Sequence, residues 1–162
     1  MSELISKIST YNIFNYLLPG VLFAVVLENL THYSIIQEDL ALGVFVYYFA
    51  GLLISRLGSV FIETFLKKIS FLQFAEYKEY LRAVKNDAKI EVLSEQNNMY
   101  RTFLSLGLSL FFIKLYEVLS IKFNFEHLDY FVLLGLLTVL FLISYRKQTE
   151  YIKNRINIIN KN

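Results

Sequence analysis

The chain has 162 residues, of which 56% are hydrophobic and 17% aromatic, and it carries a formal net charge of +2 with no cysteine. A water-soluble domain of this length has a smaller apolar fraction, so the composition argues against a soluble helical bundle and favours a membrane protein. The lack of cysteine excludes thiol nucleophiles, disulfides and cysteine-ligated metals from this chain.

Four uncharged apolar stretches follow one another, and each extends towards the roughly 20 residues that a transmembrane helix needs. They are Tyr11 to Leu27, Leu40 to Ser55, Thr102 to Ile113 and Tyr130 to Tyr145. The sequence therefore predicts an all-α, four-helix transmembrane protein with membrane-proximal cytoplasmic helices. We divide it into a first transmembrane hairpin (1–66), a cytoplasmic helical segment (67–100), a second transmembrane hairpin (101–147) and a cytoplasmic tail (148–162).

The 16 lysines and arginines are distributed unevenly among the connecting segments. Fourteen lie before the first stretch, between the second and third, or after the fourth, whereas only Lys114 and Lys122 lie towards the connection between the third and fourth. Because short cytoplasmic loops are enriched in Lys and Arg, both termini and the central segment are predicted to face the cytoplasm. The polar start shows no cleavage pattern, so the first stretch is predicted to be an uncleaved anchor.

Pro19 interrupts the first stretch, whose cytoplasmic end is predicted to be an interfacial helix that bends or restarts at the proline. Two positions for the outer end are open. A helix that stops near Leu30 leaves Glu28 and His32 in a short acidic external loop. A helix that runs to about Ile36 places Glu28 near mid-membrane with His32 as its partner, where a carboxylate is a candidate for function.

The second stretch is predicted to pack closely against other helices because its small residues gather on roughly one face. They are Gly43, Gly51, Ser55, Gly58 and Ser59. The apolar pattern continues past Arg56, with an interruption at Glu63, and so predicts a helix that projects beyond the inner surface. In the third stretch, Lys114 and Glu117 lie three residues apart and can pair or snorkel to the interface. For Lys114 and Glu117 a pore-lining role and a role in setting helix depth are both open. Glu28 and Arg56 are the other candidates for pore or polar intramembrane positions.

The central segment carries a basic edge. If Phe74 to Glu91 forms one helix, spacings of four, three and four residues place its cations on one side. These cations are Lys78, Arg82, Lys85 and Lys89. The edge is predicted to bind lipid headgroups, to bind the phosphates of a nucleotide or nucleic acid, or to form salt bridges with a neighbour. A helix break at Asn86 and Asp87 leaves only three cations aligned.

The segment from Ile90 to Arg101 contains neither Gly nor Pro and is predicted to be a polar helix that continues into the third span. Where it enters the membrane, four side chains are expected to link subunits, to cap neighbouring helices, or to form an ordinary polar girdle. They are Asn97, Asn98, Tyr100 and Arg101. In the tail, isoleucines recur near helical spacing, so the tail is expected to lie on the bilayer, to pack on another helix, or to be a loosely ordered basic tail.

No arrangement of residues points to catalysis. His32 and His127 each have acidic residues nearby, but their spacing matches no metal-ligand pattern, and no nucleophilic site or glycine-rich phosphate loop is recognisable. We therefore expect no enzyme activity, no bound metal and no cofactor.

The run from Phe14 to Gly20 and the run from Gln96 to Arg101 occur in a layout that resembles the small multi-span membrane effectors of bacterial antiphage systems. Those effectors are encoded beside enzymes that make nucleotides or oligonucleotides. The resemblance implies a homo-oligomeric channel or pore that permeabilises or depolarises the inner membrane, controlled by a cytoplasmic nucleotide or oligonucleotide bound at the basic edge. The competing hypothesis is a non-conducting adaptor or scaffold that recruits a cytoplasmic protein partner to the lipid bilayer.

Overall fold

The computed structural model describes residues 12–125 and 128–160, and this part of the chain folds into five helices without a strand. The helices are α1 (Ile13–Leu30), α2 (Leu40–Lys68), α3 (Tyr77–Asn86), α4 (Lys89–Phe123) and α5 (Asp129–Ile159). All but α3 are long and apolar enough to cross a bilayer. The predicted all-α fold with four candidate spans is confirmed, and it indicates a multi-pass membrane protein. Lys7, Glu126, His127 and Lys161 lie outside the described residues.

The two longest helices extend well beyond a bilayer. Helix α4 has 35 residues and α5 has 31, which at ~1.5 Å per residue makes them about 50 and 45 Å long, against about 30 Å of hydrocarbon. The polar segment from Ile90 to Arg101 is therefore continuous with the third span, as predicted. We call the end of the bundle that carries Arg56, Arg101 and Lys147 the cation-rich end, and the end that carries Asp129 the opposite end.

Helix α1 changes its hydrogen-bond register just before the proline. A π-helical turn at Ile13–Leu17 leads into the regular helix Leu18–Leu30, with Pro19 in its first turn, where the missing N–H costs little. The helix ends at Leu30, because Thr31 adopts an extended conformation. The alternative in which the first span runs to Ile36 is therefore wrong.

Two glycines bring α1 and α2 into backbone contact. A Cβ atom at Gly20 would lie 1.7 Å from the carbonyl oxygen of Tyr47, and a Cβ atom at Gly51 would lie 1.8 Å from that of Tyr16. Only glycine fits at such distances. Helix α2 also contains a π-helical turn, at Gly58–Ile62, and Gly58 packs there against α4. The close packing predicted for the small residues of the second span is thus present within one chain.

The core lies among α1, α2 and α4. Its apolar centre contains Ala24, Leu27, Ile54 and Leu110, each at most 6% exposed. Helix α5 is attached more loosely. Only 6% of its apolar 18-residue stretch is buried, against 22% to 28% of the corresponding stretches in the other three spans. Most of the apolar surface of α5 is thus available to lipid or to another chain.

Helix α3 ends before the basic edge is complete. Asp87 breaks the helix with an extended backbone, and its carboxylate accepts a hydrogen bond from the backbone N–H of Lys89 at 2.9 Å. This local hydrogen bond competes with helix continuation, and α4 begins at Lys89. The prediction of one helix from Phe74 to Glu91 is wrong, and Lys89 is the first residue of α4 rather than part of the α3 edge.

The tail is a direct continuation of the fourth span. Helix α5 runs without interruption to Ile159, and the ring of Tyr151 lies 6.4 Å from the ring of Tyr77 on α3. The tail is therefore helical and contacts α3, while Ile152, Ile156 and Ile159 stay more than half exposed.

Candidate functional site

A buried carboxylate joins three helices at the cation-rich end. The side chain of Glu63, near the end of α2, is only 9% exposed. It accepts hydrogen bonds from Lys67 Nζ at 2.8 Å and from Arg101 Nη1 of α4 at 2.6 Å. Lys147 Nζ of α5 lies 3.8 Å from the same carboxylate. We call these four residues the Glu63 clamp. Three cations and one carboxylate give it a net charge of +2.

Lys147 connects α5 to α2 by more than this ion pair. Its Nζ donates hydrogen bonds to the backbone oxygen of Ser59 at 2.5 Å and to Ser59 Oγ at 2.9 Å. The π-helical turn Gly58–Ile62 contains Ser59. Because α5 buries little apolar surface elsewhere, this lysine is a main attachment of α5 to the bundle.

A network of polar side chains lies inside the bundle next to the clamp. Thr102 Oγ1 lies 2.9 Å from Asn15 Oδ1 and 3.2 Å from Ser55 Oγ, and Thr102 is fully buried. Ser105 Oγ donates to the backbone oxygen of Ile54 at 2.7 Å. Polar side chains at membrane depth must be satisfied within the protein. This network therefore holds α1, α2 and α4 in one arrangement.

A carboxylate is also buried at the opposite end. Glu117 is 4% exposed. It pairs with Lys114 Nζ at 2.5 Å and with His32 Nδ1 at 2.6 Å, and it accepts a hydrogen bond from the backbone N–H of His32. The pairing of Lys114 with Glu117 was expected from their spacing. The partner predicted for His32, Glu28, instead accepts a hydrogen bond from Ser34 Oγ at 3.1 Å.

Two tyrosines meet one aspartate beside this pair. Asp129, at the start of α5, accepts hydrogen bonds from Tyr33 Oη at 2.7 Å and from Tyr116 Oη at 2.8 Å. Burial, together with the hydrogen bond to Asp129, raises the pKa of Tyr33 above its usual range. Tyr33 therefore remains a donor at any physiological pH, and the loop after α1 stays attached to α4 and α5.

The basic edge of α3 faces the end of α5 across a groove of about 70 Å³. Its walls are formed by Lys78, Leu81, Arg82 and Lys85 of α3 and by Arg155 and Ile158 of α5. We call the four cations among them the basic groove. Their side chains make no ion pair or hydrogen bond with any residue in the described ranges. Within the described residues, the predicted salt bridges to a neighbouring helix are therefore not formed.

Four like charges around one groove repel each other, so an anion placed between them lowers the electrostatic energy. Three of the residues were predicted from the sequence. The fourth, Arg155, was not, because only the continuation of α5 as a helix brings it to α3. Lys89, predicted as the fourth member, does not line the groove.

The remaining predicted residues divide between the clamp and the surface. Arg101 belongs to the clamp, while Asn97 and Tyr100 line a cavity beside it. The backbone oxygen of Asn98 lies 2.9 Å from Thr102 Oγ1 and shares its single hydroxyl hydrogen with Asn15 Oδ1. Arg56 is exposed and forms no ion pair within the described part of the chain.

Sequence reasoning treated Glu63 only as an interruption of an apolar pattern and so did not find the clamp. The sequence does contain a signal for it. Glu63 is a carboxylate in an apolar helix, and Arg101 and Lys147 are cations at the corresponding ends of two other spans. In the described residues, no group of three His, Asp or Glu side chains is placed to hold a metal ion.

Comparison with protein-family models, with curated proteins and with solved structures finds no match to this chain. Its function is therefore inferred from its own residues and their geometry.

Proposed function

We propose that the protein is an oligomeric effector of the bacterial inner membrane that forms a channel or pore, acts in antiphage defence, and is opened through its basic groove. In this proposal both termini and α3 face the cytoplasm, as the distribution of cations predicts. A nucleotide or oligonucleotide binds the groove, and binding changes the position of the spans.

The observation that carries the proposal is the groove itself. Four cations line it, without a carboxylate partner among the described residues, and one of them, Arg155, lies on the same uninterrupted helix that forms the candidate fourth span. An anion bound between the cations of α3 and Arg155 of α5 attracts both helices, and so pulls the end of α5 towards α3. Because α5 buries little apolar surface and is attached mainly through Lys147 and Asp129, we expect it to move more easily than the other spans.

Conduction requires more than one copy of the chain. In the described part of the chain, the centre of the bundle is occupied by the buried apolar side chains Ala24, Leu27 and Leu110, so a pore is not expected between α1 and α4 of one copy. The surface of α5 is free to contact another copy, and a pore between copies needs α5 as a wall. Glu28 and Arg56, both exposed, are candidates for polar positions along such a pore.

The proposal is tested by ion flux from liposomes that contain the purified protein. ATP, a cyclic dinucleotide and a linear trinucleotide are the probes. At least one is expected to start potassium efflux from wild-type liposomes, and the triple variant Lys78→Glu, Arg82→Glu, Lys85→Glu is expected to abolish the response. The matched control changes Lys68, Lys89 and Lys153 to Glu and shifts the net charge equally without touching the groove. The absence of flux with every probe contradicts the channel proposal.

The alternative is a non-conducting adaptor that uses the same groove to recruit a cytoplasmic protein. The apolar centre of the single bundle favours it, since an adaptor needs no pore and no second copy. Ion flux from liposomes without any added protein favours the channel. The adaptor is favoured if there is no flux and wild type captures an acidic protein that the groove variant does not capture.

A further inference from the structure

A second cavity adjoins the Glu63 clamp. It has a volume of about 160 Å³ and lies between the end of α2, the loop before α3, and α4. Most of its wall is apolar, formed by Leu66, Phe71, Leu72, Phe74 and Leu104. The clamp residues Glu63 and Arg101 form its polar side. The cavity is thus amphipathic, with apolar walls and a charged edge.

The charged edge has unused capacity for an anion. The clamp has a net charge of +2, and Arg101, which carries part of that charge, lines the cavity. Lys67 Nζ lies 4.0 Å from the centre of the ring of Phe74, one of the lining residues. A phosphate placed beside this net positive charge gains electrostatic attraction and a charge-assisted hydrogen bond.

The uncharged parts of the spans place this cavity near the edge of the bilayer. Arg101 directly precedes Thr102, the first residue of the uncharged part of the third span. On α2, the cavity residue Leu66 lies eleven residues beyond Ser55, where the uncharged part of the second span ends. At this level a phospholipid places its phosphate beside its first acyl carbons.

We propose that this cavity binds one anionic phospholipid from the leaflet at the cation-rich end. The phosphate faces the guanidinium of Arg101, with Lys67 contributing positive charge behind Phe74, and part of an acyl chain occupies the space among Leu72, Phe74 and Leu104. A free phosphate compound matches only the charged edge and leaves the apolar walls in water. The site is independent of the basic groove and of conduction.

The test compares two lipids with identical acyl chains, phosphatidylglycerol and phosphatidylcholine, by native mass spectrometry of the purified full-length protein. Wild type is expected to retain phosphatidylglycerol preferentially. Arg101→Gln is expected to weaken that binding about fivefold, corresponding to about 1 kcal/mol for one cation at an anionic lipid. Leu72→Trp fills the cavity and is expected to weaken binding of both lipids. Lys68→Gln is the control. Lys68 lies on α2 beside Lys67 but outside the clamp, and this variant is expected to bind as wild type does.

Several results overturn the proposal: equal retention of the two lipids by wild type, or unchanged retention in both Arg101→Gln and Leu72→Trp. Displacement of the lipid by millimolar glycerol phosphate also overturns it, because it identifies a site for free phosphates. Thermal unfolding in detergent checks that each variant is folded, and Lys67→Gln replaces Arg101→Gln if the latter is unstable. Since no readout depends on flux, failure here is distinct from failure of the channel proposal.

Discussion

Arg101 of α4 donates a hydrogen bond of 2.6 Å to Glu63 of α2, 38 residues away in the chain. The pair lies where the uncharged spans end, and Lys147 brings α5 to the same carboxylate. Any movement of α5 relative to the other spans therefore has to rearrange the Glu63 clamp.

Replacing Glu63 with Gln is expected to lower the free energy of unfolding by about 2–3 kcal/mol. Loss of one member of a fully buried pair costs about 3–5 kcal/mol, and the partial exposure of Lys67 and Arg101 reduces this. The measurement is thermal unfolding in detergent. Glu150→Gln breaks the exposed pair with Arg146 and is the control, expected within about 1 kcal/mol of wild type. Equal effects of the two substitutions contradict a structural role for the clamp.

Gly51→Ala and Gly107→Ala are expected to have opposite effects on stability. A Cβ atom at Gly51 collides with the backbone of Tyr16, so this substitution forces α1 and α2 apart and costs about 1–3 kcal/mol or more. A Cβ atom at Gly107 meets no atom within 4 Å, and alanine there stabilises the helix by up to about 1 kcal/mol. Unfolding by graded denaturant measures both. A Gly51→Ala protein as stable as wild type contradicts the close contact.

Thr102→Val is expected to destabilise the protein by about 1 kcal/mol, because it removes the hydroxyl that joins Asn15 and Ser55 while preserving the side chain's shape. Thr138→Val is the matched control. The hydroxyl of Thr138 bonds only within its own helix, to Leu134 O, and is exposed. The unfolding midpoints of the two variants, measured in the same detergent, should therefore differ. Identical midpoints argue that the network contributes nothing to packing.

Lys85→Glu and Lys89→Glu distinguish the observed groove from the edge predicted by sequence. Lys85 lines the groove, whereas Lys89 starts α4 outside it. Binding of a fluorescent nucleotide is expected to weaken more than tenfold for Lys85→Glu, which replaces an attraction with a repulsion, and to change less than twofold for Lys89→Glu. Equal losses contradict the assignment of the groove.

The spans were predictable from sequence because long uncharged stretches have no other stable environment than a bilayer. The continuity of α4 was also predictable, since nothing between Lys89 and Arg101 stops a helix. The break at Asp87 was harder to predict. At this break the carboxylate of Asp87 accepts a hydrogen bond from the backbone N–H of Lys89. Aspartate is also tolerated on exposed helix surfaces, so its presence alone does not predict a break.

The sites were less predictable than the fold. Glu63 meets Arg101 and Lys147 through packing of three helices, and spacing along the chain contains no information about that contact. Likewise, His32 pairs with Glu117, 85 residues away, rather than with the nearby Glu28 that its helical spacing favoured.

Current across a planar bilayer that contains the purified protein tests the central claim most directly. Stepwise currents are expected in the presence of an activating nucleotide, present also in Lys89→Glu and absent in Lys85→Glu. A bilayer that stays silent with wild type and every nucleotide, or currents that persist unchanged in Lys85→Glu, contradicts a channel opened through the basic groove.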